Sequence, residues 1–263
     1  MASNLIERLF SVAGKTVLVT GGSSGIGYML ATAFAEAGAR VYITGRKADR
    51  LDAARAALAA QGDVHAIQSD LGTREGVAAV VAGVAANEDK LHVLINNAGI
   101  TWGAPVESFP AEAWDSVLAT NVRAPFALVQ GLLPRLEAAA SDTDPARVVN
   151  IGSIYGISSE TMTAWSYGAS KAAIHHLTVM LAAELAPKRI LVNAIAPGFF
   201  PSRMTGFVMK DAQRMAAILE QIPLHRAGSP EDIAGLALYL CSRAGAYMTG
   251  NVIPLDGGIL ASH

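Results

Sequence analysis

Apolar and polar positions along this chain fall into two alternating regimes. Short, β-branched, nearly continuous apolar runs are separated by longer alanine-rich stretches whose apolar positions recur at helical spacing. The runs Lys15–Thr20, Arg40–Thr44, Val64–Gln68, Leu91–Asn96, Ala146–Gly152, Arg189–Ile195 and Asn251–Leu255 predict strands. Between them, helices are expected near 25–37, 48–60, 73–87, 111–139, 166–186 and 230–240. The central runs lack the polar alternation of a half-exposed sheet, as parallel strands covered on both faces do. Strand-then-helix alternation implies right-handed crossovers. The expected fold is therefore α/β, a single-domain Rossmann-like doubly wound parallel sheet spanning 1–263, of about seven strands with helices on both faces. In such a sheet ligands bind beyond the carboxyl ends of the strands, so the residues just after each strand are the ones to question.

Two segments interrupt the rhythm. Residues 140–146 form a polar, proline-containing loop, and residues 198–229 hold two prolines, three glycines and a Met-rich stretch with no strand of their own. An insertion that long is often functional, which makes it the expected substrate loop.

Composition narrows the classes. Of 263 residues, 52% are hydrophobic and 16% charged, with a net charge of −2. That leaves no basic surface for nucleic acid and no electrostatic reason to sit on an anionic membrane. Cys241 is the one cysteine, so no internal disulfide forms, and it reads as a small buried hydrophobe. Glu7 and Arg8 interrupt the apolar region a secretory signal would need, and no run reads as a membrane span. A cytoplasmic protein is the expectation.

The first strand runs into Thr20-Gly21-Gly22-Ser23-Ser24-Gly25-Ile26-Gly27 and then a helix. Glycines permit a tight turn and close backbone approach to a pyrophosphate, which the unpaired N–H groups of the helix start favour. The spacing is Gly-x3-Gly-x-Gly. At the end of the second strand an acidic residue would suit NAD and an arginine the extra phosphate of NADP. Here the chain reads Thr44-Gly45-Arg46-Lys47, with Asp49 beyond the strand. Arg46, with Ser23 and Ser24 nearby, points to NADP.

Four further positions form a pattern: Asn121, Ser153, Tyr167 and Lys171. A Tyr-x3-Lys pair by itself is an ordinary pair of helix neighbours. Ser153, at a strand end, equally suits a local backbone cap. Taken with Thr20–Gly27, Asn96-Asn97-Ala98-Gly99 and Pro197-Gly198, in this order over nearly the whole chain, they resemble the short-chain dehydrogenase/reductase family. The resemblance implies that Tyr167 is the acid that protonates a carbonyl oxygen, that Ser153 orients that oxygen, and that Lys171 holds the cofactor ribose and tunes Tyr167. To Asn121 it gives a water-holding place in a proton relay. Four residues apart on a helix, the Lys171 ammonium sits near the Tyr167 phenol and is expected to lower its pKa from near 10. Tyr155 competes for the role but lacks a basic neighbour four residues on. By resemblance and position, Asp70 and Leu71 border the adenine, Asn97, Ala98 and Gly99 let the backbone approach the cofactor, and Pro197 and Gly198 border the nicotinamide; each is also ordinary loop chemistry. His175 and His176 are adjacent on a helix and point apart, so no metal is expected.

The expected reaction is NADPH-dependent reduction of a carbonyl. The segments ARVVNIGS, APGFFPSRMT and AGAYMTGNVIPLDGG are most similar to 3-oxoacyl-thioester reductases, especially the branch associated with rhamnolipid biosynthesis. Phe199, Phe200, Met204, Phe207, Val208, Met209, Met215 and Ile218 are candidates to line an acyl cleft, or are simply core. Alanine stands at Ala183, before Glu184, where carrier-protein reductases of the family usually have a basic residue. Arg135 is the remaining candidate for docking an acidic carrier, so a coenzyme A thioester or a free ketone stays open. Alternatives are a reductase of small ketones, sugars or cyclic alcohols, and a non-catalytic NADP-binding regulator. Family resemblance also implies a homotetramer packed through the helices of 111–139 and 166–186.

Overall fold

The computed structural model describes residues 4–158, 163–202, 206 and 211–262. Met204, Phe207, Val208 and Met209, named above as cleft candidates, lie outside the described residues.

A short helix α1 (Leu5–Phe10) precedes β1 (Thr16–Val19), α2 (Gly25–Glu36), β2 (Arg40–Gly45), α3 (Ala48–Leu58), β3 (Val64–Gln68), α4 (Arg74–Asn87) and β4 (Val93–Asn96). There follow α5 (Ala111–Leu118), a π-helical turn (Ala119–Arg123), α6 (Ala124–Ala139), β5 (Ala146–Ile151), α7 (Trp165–Leu185) and β6 (Ile190–Pro197). The helices Ala212–Gln221 and Pro230–Cys241 and strand β7 (Val252–Leu255) complete the chain. The strands form one seven-stranded sheet in the order β3-β2-β1-β4-β5-β6-β7, every pair parallel.

The strand positions follow from burial. Every residue of β1, β4, β5 and β6 is buried, which is what continuous apolar runs require when helices cover both faces. One apolar layer joins β1 and β2 to α2 and the helix Pro230–Cys241, through Leu30, Phe34, Ile233 and Leu240. The opposite layer packs α4, α6 and α7 on the sheet through Val80, Leu128, Leu132 and Leu185. Local signals set the helix starts: Thr73 caps α4 by accepting from Gly76 N–H, and Ser229 with Asp232 closes a capping box ahead of Pro230.

The sheet reverses its winding between β1 and β4, so the turns after these two strands face one crevice. The amino edge holds a buried charge cluster instead. Arg147, 1% exposed, donates from Nη1 to Asp144 Oδ1 at 2.6 Å and from Nη2 to the Ser242 carbonyl at 2.7 Å, and Lys15 Nζ lies 2.8 Å from the same carboxylate.

The expected helix over 111–139 is divided. Its middle adopts a π turn centred on Asn121, for a reason found at the site below. Phe200, a cleft candidate from the sequence, is core: it is buried beneath Gly228, where an added Cβ would come within 2.3 Å of the ring.

Candidate active site

Strand β5 ends at Ile151, and the chain leaves the sheet through Gly152 and Ser153. Ser153 is extended (φ −170°) and caps a 3-10 turn, Ile154–Gly156, its Oγ accepting from Tyr155 N–H at 3.3 Å. Alongside runs α7, which presents Tyr167 and Lys171 on one face because they are four residues apart. Ser153 and the Tyr167 hydroxyl share a hydrogen bond. Lys171, 5% exposed, donates from Nζ to the Ile151 carbonyl at 2.7 Å and stands 5.4 Å from the centroid of the Tyr167 ring. Thus three of the four predicted catalytic residues meet at the carboxyl end of β5.

Their electrostatics differ from the expectation in one respect. Burial is the largest influence on Tyr167 and pushes its phenol above the usual value near 10, while the hydrogen bond with Ser153 pulls downward and Tyr155 adds to the rise. Lys171 does not draw it down. Burial pulls Lys171 itself down to about 8, since its ammonium is desolvated and only a neutral carbonyl receives it. The phenol is therefore fully protonated at neutral pH, the state in which an acid can act.

Asn121 is tied to that trio through α7. Its Oδ1 accepts from Ile100 N–H at 2.9 Å, while Nδ2 donates to the Ile100 carbonyl and to Ser170 Oγ, both at 2.9 Å. Ser170 in turn donates to the Tyr167 carbonyl at 2.7 Å. The π turn gives Asn121 the register to bridge the loop after β4 and the helix bearing Tyr167, a frequent use of such bulges.

The residues expected to hold a dinucleotide line the crevice at the β1–β4 reversal. Gly21 (φ +67°) and Gly25 (φ +56°) take left-handed backbone conformations that suit glycine, and a Cβ on Gly21 would meet Ala98 Cα at 3.0 Å. Ser24 offers no side-chain cap to α2, so the first-turn N–H groups, including those at Ile26 and Gly27, keep their capacity for an anionic group. At the end of β2 a Cβ on Gly45 would lie 3.2 Å from Ser23 Oγ, which puts Ser23 beside the strand end carrying Arg46. The Arg46 side chain is exposed and makes no hydrogen bond or ion pair among the described residues. A glycine cradle on a helix start with a free guanidinium at its rim fits NADP.

Other predicted contacts prove partly structural. Asn97 Nδ2 donates to the Thr20 carbonyl at 2.8 Å, and Thr20 Oγ1 accepts from Asn97 N–H at 2.9 Å and Ala98 N–H at 3.0 Å, locking the two turns together. A Cβ on Gly99 would lie 3.3 Å from Asn121 Oδ1. Asp70 is exposed, its Oδ1 accepting from Gly72 N–H, while Leu71 is buried. Pro197 ends β6, and Gly198 N–H donates to the Leu255 carbonyl at 3.0 Å.

Two side chains depart from their sequence reading. Arg135 is bonded to the carbonyls at the end of α4, Ala85 and Glu88, each at 3.2 Å, so it braces that helix end. His175, considered above only as a metal ligand, is buried one turn beyond Lys171 and touches the Ser153 backbone. Its partner is 22 residues distant, so spacing alone carried no signal for it. Among the described residues no three His, Cys, Asp or Glu side chains are grouped to hold a metal. Cys241 is buried, with its thiol pushed up to about 12. No helix among the described residues is long and apolar enough to cross a membrane.

Residues 21–260 match the family model described as enoyl-(acyl carrier protein) reductase. The chain is 49% identical over 249 residues to the rhamnolipids biosynthesis 3-oxoacyl-[acyl-carrier-protein] reductase of Pseudomonas aeruginosa, covering 95% of this chain and 97% of that protein. It is 34% identical over 259 residues to a gluconate 5-dehydrogenase of Gluconobacter oxydans, covering 97% and 98%. Among solved structures, the Pseudomonas aeruginosa RhlG/NADP active-site complex superposes with a TM-score of 0.93 at 48% identity, covering 96% of this chain and 98% of that one.

Proposed function

Since the chain belongs to the short-chain dehydrogenase/reductase family, we propose that it reduces a 3-oxoacyl thioester to the 3-hydroxyacyl product with NADPH. The observation that carries this reading is the convergence of the Ser153 hydroxyl, the Tyr167 phenol and the Lys171 ammonium at the end of β5.

NADP would be held by the turn Gly21–Gly27, with Ser23, Ser24 and Arg46 toward its phosphates, Asp70 and Leu71 toward the adenine, and Asn97–Gly99, Pro197 and Gly198 around the rest. When bound in reduced form it supplies a hydride to the carbonyl carbon. The chain manages the oxygen. Ser153 donates a hydrogen bond to it and fixes the carbonyl for attack. Negative charge then develops on that oxygen, and Tyr167, kept protonated by burial, gives up its proton there. Lys171, a buried cation with no carboxylate partner among the described residues, stands beside the Tyr167 ring and binds the cofactor ribose. Asn121 braces the Ile100 backbone and α7 and supports a water through which Lys171 communicates with solvent.

The thioester is favoured by the similarity to the rhamnolipid-pathway reductase. With Arg135 committed to the end of α4, this chain offers a carrier protein fewer cations, so coenzyme A and carrier-protein thioesters are both to be tried. The similarity to a gluconate 5-dehydrogenase supports a second reading, a reductase of a sugar-acid ketone. We further infer a cytoplasmic homotetramer. Exposed Trp114 on α5, Phe126 on α6, and Val179 and Met180 on α7 give those helices an apolar outer surface that suits packing against other copies.

The deciding experiment follows NADPH oxidation with acetoacetyl-coenzyme A, acetoacetyl carrier protein, 5-ketogluconate and simple ketones. Highest kcat/KM on a thioester supports the proposal; highest on 5-ketogluconate overturns it in favour of the second reading.

A further inference from the structure

His175 follows Lys171 by four residues and Tyr167 by eight, so all three lie on one face of α7. It is 7% exposed. Its ring reaches into the turn that carries Ser153. Ser153 N–H donates to Nε2 at 3.4 Å, and the ring makes a second hydrogen bond with the Gly156 backbone. An imidazole that accepts at Nε2 carries its proton on Nδ1, which makes the Gly156 carbonyl the natural acceptor.

The glycines at both ends of the turn leave room for this ring and for α7. A Cβ on Gly152 would fall 2.0 Å from Nε2, and one on Gly156 would fall 2.6 Å from the Lys171 backbone carbon and 2.7 Å from Cε1. Neither clash has room to relax, because Gly152 N–H is bonded to the Ile195 carbonyl at 2.7 Å and Gly156 N–H to the Ser153 carbonyl at 3.0 Å. The ring is neutral: burial first, then the Lys171 charge, brings it down to about 4. A protonated ring would donate at Nε2 and could not receive Ser153 N–H. A leucine would fill a similar volume but leave Ser153 N–H and the Gly156 carbonyl without these partners.

We infer that His175 is a positioning residue, a clamp on the Gly152–Gly156 turn that aims the Ser153 hydroxyl at Tyr167 and the substrate oxygen. The inference rests on the roles proposed above for Ser153 and Tyr167.

Two measurements test it. The first is independent of turnover: hydrogen exchange at the Ser153–Gly156 amides should quicken about tenfold or more in His175→Leu, as expected when a local hydrogen bond is lost. Unchanged protection there overturns the clamp whatever the enzyme's substrate. The second is a double-mutant cycle on NADPH-dependent reduction. His175→Leu should lower kcat about tenfold with the NADPH KM nearly unchanged, and His175→Gln, which retains an amide donor and acceptor, should recover most of it. In a Ser153→Ala background His175→Leu should cost less than about twofold, because the group it aims is gone. A full multiplicative loss in that background means His175 acts elsewhere and overturns the proposal. If His175→Leu does not fold, His175→Ala, which also removes both ring hydrogen bonds, is carried through the same cycle and read by the same criterion. A Tyr167→Phe control separates the layers: normal turnover there defeats the catalytic reading, while the exchange result still judges the clamp.

Discussion

Lys171 stands 5.4 Å from the centre of the Tyr167 ring while its ammonium is bonded to a strand-end carbonyl, that of Ile151. One buried cation thereby joins α7 to β5 at the point where Ser153 leaves the sheet. Among the described residues no carboxylate faces it, and burial is the influence that lowers its pKa.

Tyr167→Phe keeps the ring and removes the acidic hydroxyl. The expected result is a fall in kcat of about 10²- to 10⁴-fold, the usual worth of general acid catalysis, with NADPH affinity nearly unchanged. Steady-state kinetics beside a cofactor titration will check it, and near-normal turnover would reject the assigned role.

The pH response of Lys171 has a definite sign. Its folded value of about 8 lies below the ordinary 10.5, so the folded protein loses this charge as pH climbs through 8 while the unfolded chain keeps it to higher pH. Log kcat/KM should therefore decline above about pH 8. Between about 8 and 10.5 the unfolded chain holds the extra proton, so this group makes stability rise with pH, by roughly 3 kcal/mol over the window. Urea melts of wild type and Lys171→Met across that window should differ in slope; parallel curves would contradict the buried-cation account.

Arg46 is exposed and its guanidinium is unengaged among the described residues. Arg46→Ala should weaken NADPH binding by about 10- to 100-fold, the worth of a charge-assisted hydrogen bond, and leave NADH binding unaltered. Equal losses for both cofactors, measured by fluorescence titration, would remove Arg46 from the phosphate site.

Asp144 neutralises two cations at the far edge of the sheet, Lys15 and buried Arg147. Asp144→Ala leaves both without a counter-charge and is expected to cost about 3 kcal/mol of stability. The denaturation midpoint should drop while kcat, measured where the variant is folded, stays the same. An unchanged midpoint would show that solvent screens this cluster.

Several features were legible in the residues before any coordinates. Buried runs such as Val93–Asn96 and Ile190–Pro197 announced strands because a doubly covered strand has no polar face. The glycines at 21 and 25 announced a turn because few other residues accept their positive φ. The four-residue step from Tyr167 to Lys171 announced a shared face because helix geometry demands it.

Other features depended on partners far away in the chain. Periodicity over 111–139 reads as one helix, since a π turn is stabilised by Asn121 reaching Ile100 and Ser170, contacts no local pattern contains. Arg135 looked like an available surface cation until α4 brought its last carbonyls within reach. The rise of the Tyr167 phenol depends on how deeply the folded chain covers it, and the clamp of His175 on Ser153 on a strand and a helix arriving side by side.

The sequence by itself determined the alternation of elements, the glycine-rich turn after β1 and the shared helix face of Tyr167 and Lys171, because these are written in backbone preference and in spacings of a few residues. Tertiary structure alone decided the protonation states, the π turn and the surroundings of Ser153. Those depend on desolvation and on hydrogen bonds between segments tens of residues apart, which exist only once the sheet has brought them together.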